Sequence, residues 1–202
     1  MASAFDIAVA SKVFATVAAG PKACASIALN VSGCTIGTPA PFALFSAMLE
    51  RNKQFAKRVH IEITESAEMT NLEFADKAIQ TMRKMGFRVG LDDFGAGAAS
   101  LQYIHAFIVD FVKFDGSLVK RMGQSKRDDA LLKSMIGTCE SLEVTSIAEW
   151  IENESMFSRA KSLGFEYGQG RHFGMPLAAT PDAPVVQVAR SGRRQGVQET
   201  WG

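Results

Sequence analysis

Residues 87–95 read FRVGLDDFG, a run of β-forming residues that ends in two adjacent carboxylates and a glycine. The part from 87 to 91 predicts a buried strand, and the Asp-Asp-Phe-Gly segment after it has the composition of a turn. Residues 71–85, just before, carry apolar side chains at close to helical spacing and stop at Gly86, which predicts a helix followed by a glycine cap. A helix, a strand and a polar turn in this order form the repeating unit of parallel α/β sheets.

The same alternation extends along most of the chain. Strands are predicted at residues 25–31, 59–63, 87–91, 110–114, 144–148 and 170–173, and helices at 5–17, 40–55, 71–85, 128–142 and 154–163. Six strands separated by helices predict a mostly parallel sheet, whereas a closed (β/α)8 barrel needs eight. We therefore expect an open sheet or an incomplete barrel over residues 1–180, with 181–202 as a partly disordered extension.

Composition excludes several other classes of protein. The 202 residues are 47% hydrophobic and carry a formal net charge of +1, which suits one globular domain and argues against a DNA partner. Neither a membrane-spanning run nor a signal-peptide pattern is evident. The cysteines Cys24, Cys34 and Cys139 are odd in number and form no paired motif, which favours free thiols and a cytoplasmic location.

A polar or charged residue stands at or near the carboxyl end of every predicted strand. In chain order these residues are Asn30, Glu62, Asp92 with Asp93, Lys113, Glu149 and Gln169. In a parallel barrel such ends face one mouth, where active sites are built. Carboxylate and amide oxygens suit Mg²⁺ or Mn²⁺, and a lysine among them can orient a water or neutralise a phosphate. The residues predict metal-assisted hydrolysis of a phosphoester.

Each of these residues also has an ordinary structural interpretation. The alternatives are a strand-end cap for Asn30, a helix N-terminal acid pair for Glu62 and Glu65, a turn for residues 92–95, and one buried ion pair for Lys113 with Glu149. Recurrence at successive strand ends favours the functional interpretation over these.

Several segments in this order resemble the signature of EAL domains, the cyclic di-GMP phosphodiesterase family. The matching segments are NVS at 30–32, IEITES at 61–66, LDDFGAG at 91–97 with SL at 100–101, VKFD at 112–115, AEWIE at 148–152 and GQGRHFGMP at 168–176. The resemblance covers about residues 5–177. It implies a TIM-like barrel with one antiparallel strand, and two divalent cations bridging a phosphodiester of cyclic di-GMP.

The resemblance also implies a role for each matching residue. Asn30, Glu62 and Asp92 would be metal ligands, Asp93 and Glu149 would serve the second metal and its water, Lys113 and Gln169 would position that water, Glu65 would steady the Asp-Asp-Phe-Gly loop, and Glu152 would lie at the substrate edge.

Three departures from the family pattern bear on activity. The family's Glu-Ala-Leu segment should precede the helix at 5–17, but only four residues do, so a metal-binding glutamate and a substrate arginine are expected to be missing. Ala96, Ala98 and Ala99 stand where the family has a hydroxyl residue, an aromatic and a serine. Trp150 replaces a glycine after Glu149. Because errors near ~1 Å can cost about a hundredfold in rate, hydrolysis is expected to be absent or very weak.

Three functions follow as hypotheses. The first is a degenerate EAL domain that acts as a cyclic di-GMP receptor or regulatory interaction module. The second is an active metal-dependent phosphodiesterase. The third is a remnant that binds no nucleotide and acts on a partner by contact. A homodimer or a protein partner would cover the expected open sheet edges, and the resemblance implies signalling in motility or biofilm formation.

Overall fold

The computed structural model describes residues 2–20, 26–64, 69, 71–97 and 100–175. Helices and strands alternate in the order α1 Ala2–Ala19, β1 Ile27–Ser32, α2 Gly33–Ile36, α3 Pro39–Arg51, a 3-10 turn Lys53–Phe55, β2 Val59–Thr64, α4 Leu72–Lys84, β3 Arg88–Phe94, α5 Ser100–Ala106, β4 Phe111–Phe114, α6 Gly116–Val119, α7 Lys126–Ser141, β5 Thr145–Ala148, α8 Glu154–Leu163 and β6 Tyr167–Gly168. In this part of the chain the strand order is β1-β2-β3-β4-β5-β6. The predicted α/β class with a parallel sheet is confirmed.

The chain divides into two compact units. The first unit comprises Met1–Asp92 and Gly97–Asp110, and the second comprises Asp93–Ala96 and Phe111–Gly202. The division falls within β3, between two carboxylates that the sequence analysis places in the site.

In the first unit, β1 pairs with β2 and β2 with β3, all parallel. On β1, Leu29 and Val31 are buried while Ala28 and Asn30 are exposed, so the strand buries alternate residues. The helical spacing in α4 buries its apolar stripe, which consists of Ala75, Ala78, Ile79 and Met82. Asn71 caps this helix by accepting a hydrogen bond from the backbone N–H of Phe74 at 3.0 Å.

In the second unit, β4 pairs with β5 and β5 with β6, again parallel. Phe114 packs edge-on against Phe94 and Phe165, with ring centroids 5.1 and 4.9 Å apart, and all three rings are buried. Helix α8 is capped at its start by Asn153 and ends at Gly164, whose φ of 106° favours glycine. The ring contacts of Phe114 pack the end of β4 against the segment that precedes β6.

The predicted sixth strand is wrong, because β6 is Tyr167–Gly168 and residues 171–173 form a turn. Pairing with β5, through Ile147 with Tyr167, decides which residues become strand. The turn follows Gly170, where a β-carbon would lie only 2.3 Å from the backbone oxygen of Ile151. The short helices α2, α5 and α6 were not predicted, because they are too brief to show a helical period.

Two further predictions concern compartment. Of the described helices, not one has the length and apolar character that a membrane crossing requires. Cys34 and Cys139 are free thiols, and Cys24 lies outside the described residues. Burial raises the pKa of the Cys139 thiol to about 12.

Candidate metal centre

The predicted site residues fall in both units. Asn30, Glu62 and Asp92 belong to the first unit, and Asp93, Lys113, Glu149, Glu152 and Gln169 belong to the second. Glu65, predicted to steady the loop after β3, lies outside the described residues.

In the first unit, Asn30 on β1 and Glu62 on β2 are register partners. Neighbouring strands lie about 4.8 Å apart and register partners share a face, so this amide and carboxyl group stand side by side. Glu62 is buried, with 7% of its surface exposed, whereas Asn30 is exposed. The pair provides oxygen donors of the kind that a hard cation takes.

The end of β1 is held by a buried carboxylate that the sequence analysis did not single out. Asp6 on α1 accepts hydrogen bonds from the backbone N–H of Ser32 at 3.1 Å, from the Ser32 hydroxyl at 2.6 Å and from the Thr35 hydroxyl. Asp6 is 7% exposed and Thr35 fully buried. This contact fixes the chain just after Asn30.

In the second unit, Lys113 at the end of β4 and Glu149 just after β5 form an ion pair. Lys113 Nζ lies 2.8 Å from a Glu149 carboxylate oxygen, and the two side chains are only 7% and 12% exposed. The backbone N–H of Glu149 also donates to the carbonyl of Phe114 at 3.2 Å, which fixes it beside β4. The ion pair that the sequence left as an alternative is therefore present.

Asp93 lies in a tight turn beside this pair. Its φ is 53°, its carbonyl accepts a hydrogen bond from the N–H of Ala96 at 3.1 Å, and its side chain is exposed. Gly95 has a φ of 91°, and a β-carbon there would lie 2.0 Å from a methyl carbon of Leu118. Glycine is thus required for this turn to pack against α6.

The structure brings Asp93 and Glu149 together, with carboxylate oxygens within 4.8 Å of each other. Asp92, which precedes Asp93 in the chain, belongs to the first unit. Carboxylate oxygens at this spacing suit a hard divalent cation, so the donor set fits Mg²⁺ or Mn²⁺. Lys113 provides the balancing positive charge.

Gln169 and Glu152 lie at the surface near the end of β5. The backbone of Gln169 donates to the carbonyl of Ala148 at 2.8 Å and accepts from the N–H of Ile151 at 3.0 Å, which ties β6 to β5 on both sides of Glu149. Both the Gln169 and the Glu152 side chains are exposed. Their predicted roles remain predictions.

Trp150 has contacts that the sequence did not reveal. It follows Glu149 with a φ of 56°, is 50% exposed, and has the Lys120 ammonium 4.7 Å from its ring centroid. The only signal in the sequence is the bulky residue where the family pattern has glycine.

Parallel strands alternating with helices, with polar side chains at the carboxyl ends of the strands, are the architecture of the α/β barrel class. The model of the EAL domain family matches residues 1–176. The chain belongs to the EAL domain family.

Known proteins agree with this assignment. A cyclic di-GMP phosphodiesterase of Shewanella oneidensis, PdeB, is 32% identical over 150 residues, which are 74% of this chain and 18% of PdeB. The chain thus spans about a fifth of the length of that curated relative. BlrP1 of Klebsiella pneumoniae, solved as a manganese and cyclic di-GMP complex, is 27% identical with a TM-score of 0.74, covering 86% of this chain and 45% of that one. An EAL domain protein of Listeria monocytogenes shares the fold, with 23% identity and a TM-score of 0.75 over 84% of this chain and 67% of that one.

Proposed function

We propose that this chain is a cyclic di-GMP receptor that binds the nucleotide with the help of a divalent cation and hydrolyses it weakly or not at all. The observation that carries the proposal is the proximity of Asp93 and Glu149 carboxylates beside the buried Lys113. BlrP1, which is similar to this chain, was solved with manganese and cyclic di-GMP. We further propose that the chain is located in the cytoplasm, where it would bind cyclic di-GMP without either molecule being exported.

The residues divide the work of binding. In the second unit, Asp93 and Glu149 would hold a Mg²⁺ or Mn²⁺ ion. In the first unit, Asn30, Glu62 and Asp92 are the proposed metal ligands. When bound, the cation would neutralise charge on a phosphodiester oxygen. Lys113 holds the Glu149 carboxylate in one orientation and offsets the repulsion between neighbouring carboxylates. Gln169 and Glu152, both exposed, would contact the ligand from the edge of the site.

Two features of the second unit support weak hydrolysis. The Lys113 ammonium already makes an ion pair with Glu149, so deprotonating it to serve as a base would leave the buried Glu149 carboxylate without its cation. Trp150 adds a large side chain directly after Glu149, at a backbone conformation that favours glycine. A displacement near ~1 Å of a reacting group can lower a rate by about a hundredfold.

The alternative is an active phosphodiesterase that cleaves cyclic di-GMP to linear pGpG. It is supported by the retained lysine and carboxylates, and by the activity that the name of PdeB states for that relative. A protein-interaction remnant, acting alone or as a homodimer, is the third possibility.

Titration calorimetry separates these functions. Cyclic di-GMP titrated into the chain with Ca²⁺, which takes oxygen ligands, should bind saturably with about one nucleotide per chain. Asp93→Asn should abolish the Ca²⁺-dependent part of the binding, whereas Glu140→Gln, on the exposed face of α7, should not change it. A Mg²⁺ or Mn²⁺ turnover assay then tests hydrolysis.

The outcomes are distinct. Binding without pGpG formation supports the receptor. Rapid pGpG formation that Lys113→Ala abolishes establishes the phosphodiesterase instead. A folded chain that releases no heat with cyclic di-GMP contradicts both and leaves the interaction remnant.

A further inference from the structure

Trp150 occupies a backbone conformation that its side chain disfavours. Its φ is 56°, in the left-handed region where bulky residues are rare and glycine is common. Strained conformations of this kind persist where the surrounding structure enforces them, and they cluster at ligand-binding sites. The conformation therefore points to a function for the indole ring.

Both neighbours of Trp150 are fixed by backbone hydrogen bonds. The N–H of Glu149 donates to Phe114 at the end of β4, and the N–H of Ile151 donates to Gln169 after β6, at 3.2 and 3.0 Å. The segment is thus tied on both sides.

The ring lies over a residue that has no side chain. A β-carbon on the buried Gly116 would lie 2.4 Å from Cδ1 and 2.5 Å from Cγ of Trp150. The indole therefore occupies the space that a side chain at position 116 would fill, and its root lies against α6. Glycine at position 116 is what allows the ring to lie there.

Trp150 combines a contact with Lys120 and a half-exposed surface. The Lys120 ammonium sits 4.7 Å from the ring centroid, at a distance typical of a cation–π contact, while half of the residue surface remains exposed. This exposed aromatic surface follows directly after Glu149, a member of the acidic group.

We infer that Trp150 binds a purine base of the cyclic dinucleotide by stacking, while the adjacent acidic group and its cation hold the phosphodiester. This inference rests on the proposed function and adds to it the residue that recognises the base. Aromatic side chains bind bases in this way because every base has a π-face. Lys120 lies over the ring and adds positive charge near an anionic ligand.

Tryptophan fluorescence tests the inference directly. The chain has two tryptophans, so Trp201→Phe leaves Trp150 as the single reporter. Cyclic di-GMP added with Ca²⁺ should quench the Trp150 emission saturably. In the same titration followed by calorimetry, Trp150→Gly should weaken binding by about 5- to 150-fold, the range that loss of one stacked base gives. Trp150→Phe should retain most of the affinity.

Control variants separate stacking from folding and from charge. Trp150→Gly should fold, because glycine accepts the φ at this position, and its thermal transition confirms this. Lys120→Met should weaken binding by a few fold, whereas Lys161→Met, on the exposed face of α8, should leave it unchanged.

Three outcomes would overturn the inference. Equal binding by Trp150→Gly and the parent chain rejects stacking and leaves the proposed function standing. Tighter binding by Trp150→Gly shows that the indole obstructs the site instead. Absence of cyclic di-GMP binding by the parent chain rejects both the proposed function and the inference.

Discussion

Asp6 in the first unit and Glu149 in the second are both carboxylates held within the fold, but their partners differ. Asp6 accepts hydrogen bonds from one backbone N–H and two hydroxyls, donated by Ser32 and Thr35. Glu149 is held by the ammonium of Lys113 and has the Asp93 carboxylate close by. The first carboxylate is surrounded by neutral donors, and the second by charges of both signs.

The difference separates a structural carboxylate from one suited to ligand binding. The hydrogen bonds of Asp6 tie α1 to the end of β1 and to α2. Glu149, in contrast, has oxygen donors of a neighbouring carboxylate within reach of one cation. The charges beside a buried carboxylate therefore indicate better than its burial whether it is structural or binds a ligand.

The largest expected change in the free energy of unfolding comes from removing one partner of the Lys113–Glu149 ion pair. Lys113→Met leaves the Glu149 carboxylate without its cation in a nearly buried place, and removal of one partner from such a pair costs about 3–5 kcal/mol. The free energy of unfolding, measured by urea denaturation, should fall accordingly. Adding Glu149→Met to this variant should restore most of the loss. A loss below about 1 kcal/mol would place the pair with ordinary surface ion pairs.

Asp6→Ala tests the structural carboxylate of the first unit. It leaves the donors of Ser32 and the buried Thr35 without their acceptor, which should lower the free energy of unfolding by about 2–3 kcal/mol. Asp6→Asn keeps an acceptor oxygen and should lose less. If Asp6→Ala changed Ca²⁺ binding more than stability, the structural interpretation of Asp6 would be wrong.

A smaller loss of stability is expected when the pH is lowered, because His60 in the first unit titrates differently in the folded and unfolded chain. Burial, together with the positive charge of Arg88 and against the negative charge of Asp110, lowers the His60 pKa from 6.5 to about 4. Between these values the unfolded chain binds a proton that the folded chain does not, so stability falls as pH drops through this window. The loss should be about 1 kcal/mol from pH ~6.5 to ~5.5.

Urea denaturation at these pH values measures this loss. His60→Gln should reduce the pH dependence, while His105→Gln, on the exposed surface of α5, should leave it in place. An unchanged pH dependence in His60→Gln would assign the acid sensitivity to other groups.

Much of the fold could be predicted because its longer elements carry periodic signals. Helix α8 has the bounds that the sequence predicted, since Asn153 and Gly164 mark its two ends. Helices α5 and α6 were missed because they are too short for a period to appear. Strand β6 was misplaced because pairing with β5, and not its own composition, determines which residues extend.

The candidate site could be predicted in part for a similar reason. Strand-end positions are local features, so Lys113, Asp93 and Glu149 could be located before their distances were known. The contact of Trp150 with Gly116 and Lys120 joins residues that are distant in the chain, and such contacts depend on packing. The role of Asp6 was missed because a lone aspartate inside an apolar helix has no motif.

The close contact between Gly116 and Trp150 has an evolutionary consequence. A β-carbon at position 116 and an indole at position 150 cannot occupy the same space. Substitutions at the two positions are therefore ordered in time: an ancestor with a side chain at 116 had to lose it before or together with the gain of tryptophan at 150. Among homologues, bulk at one position should accompany a small residue at the other.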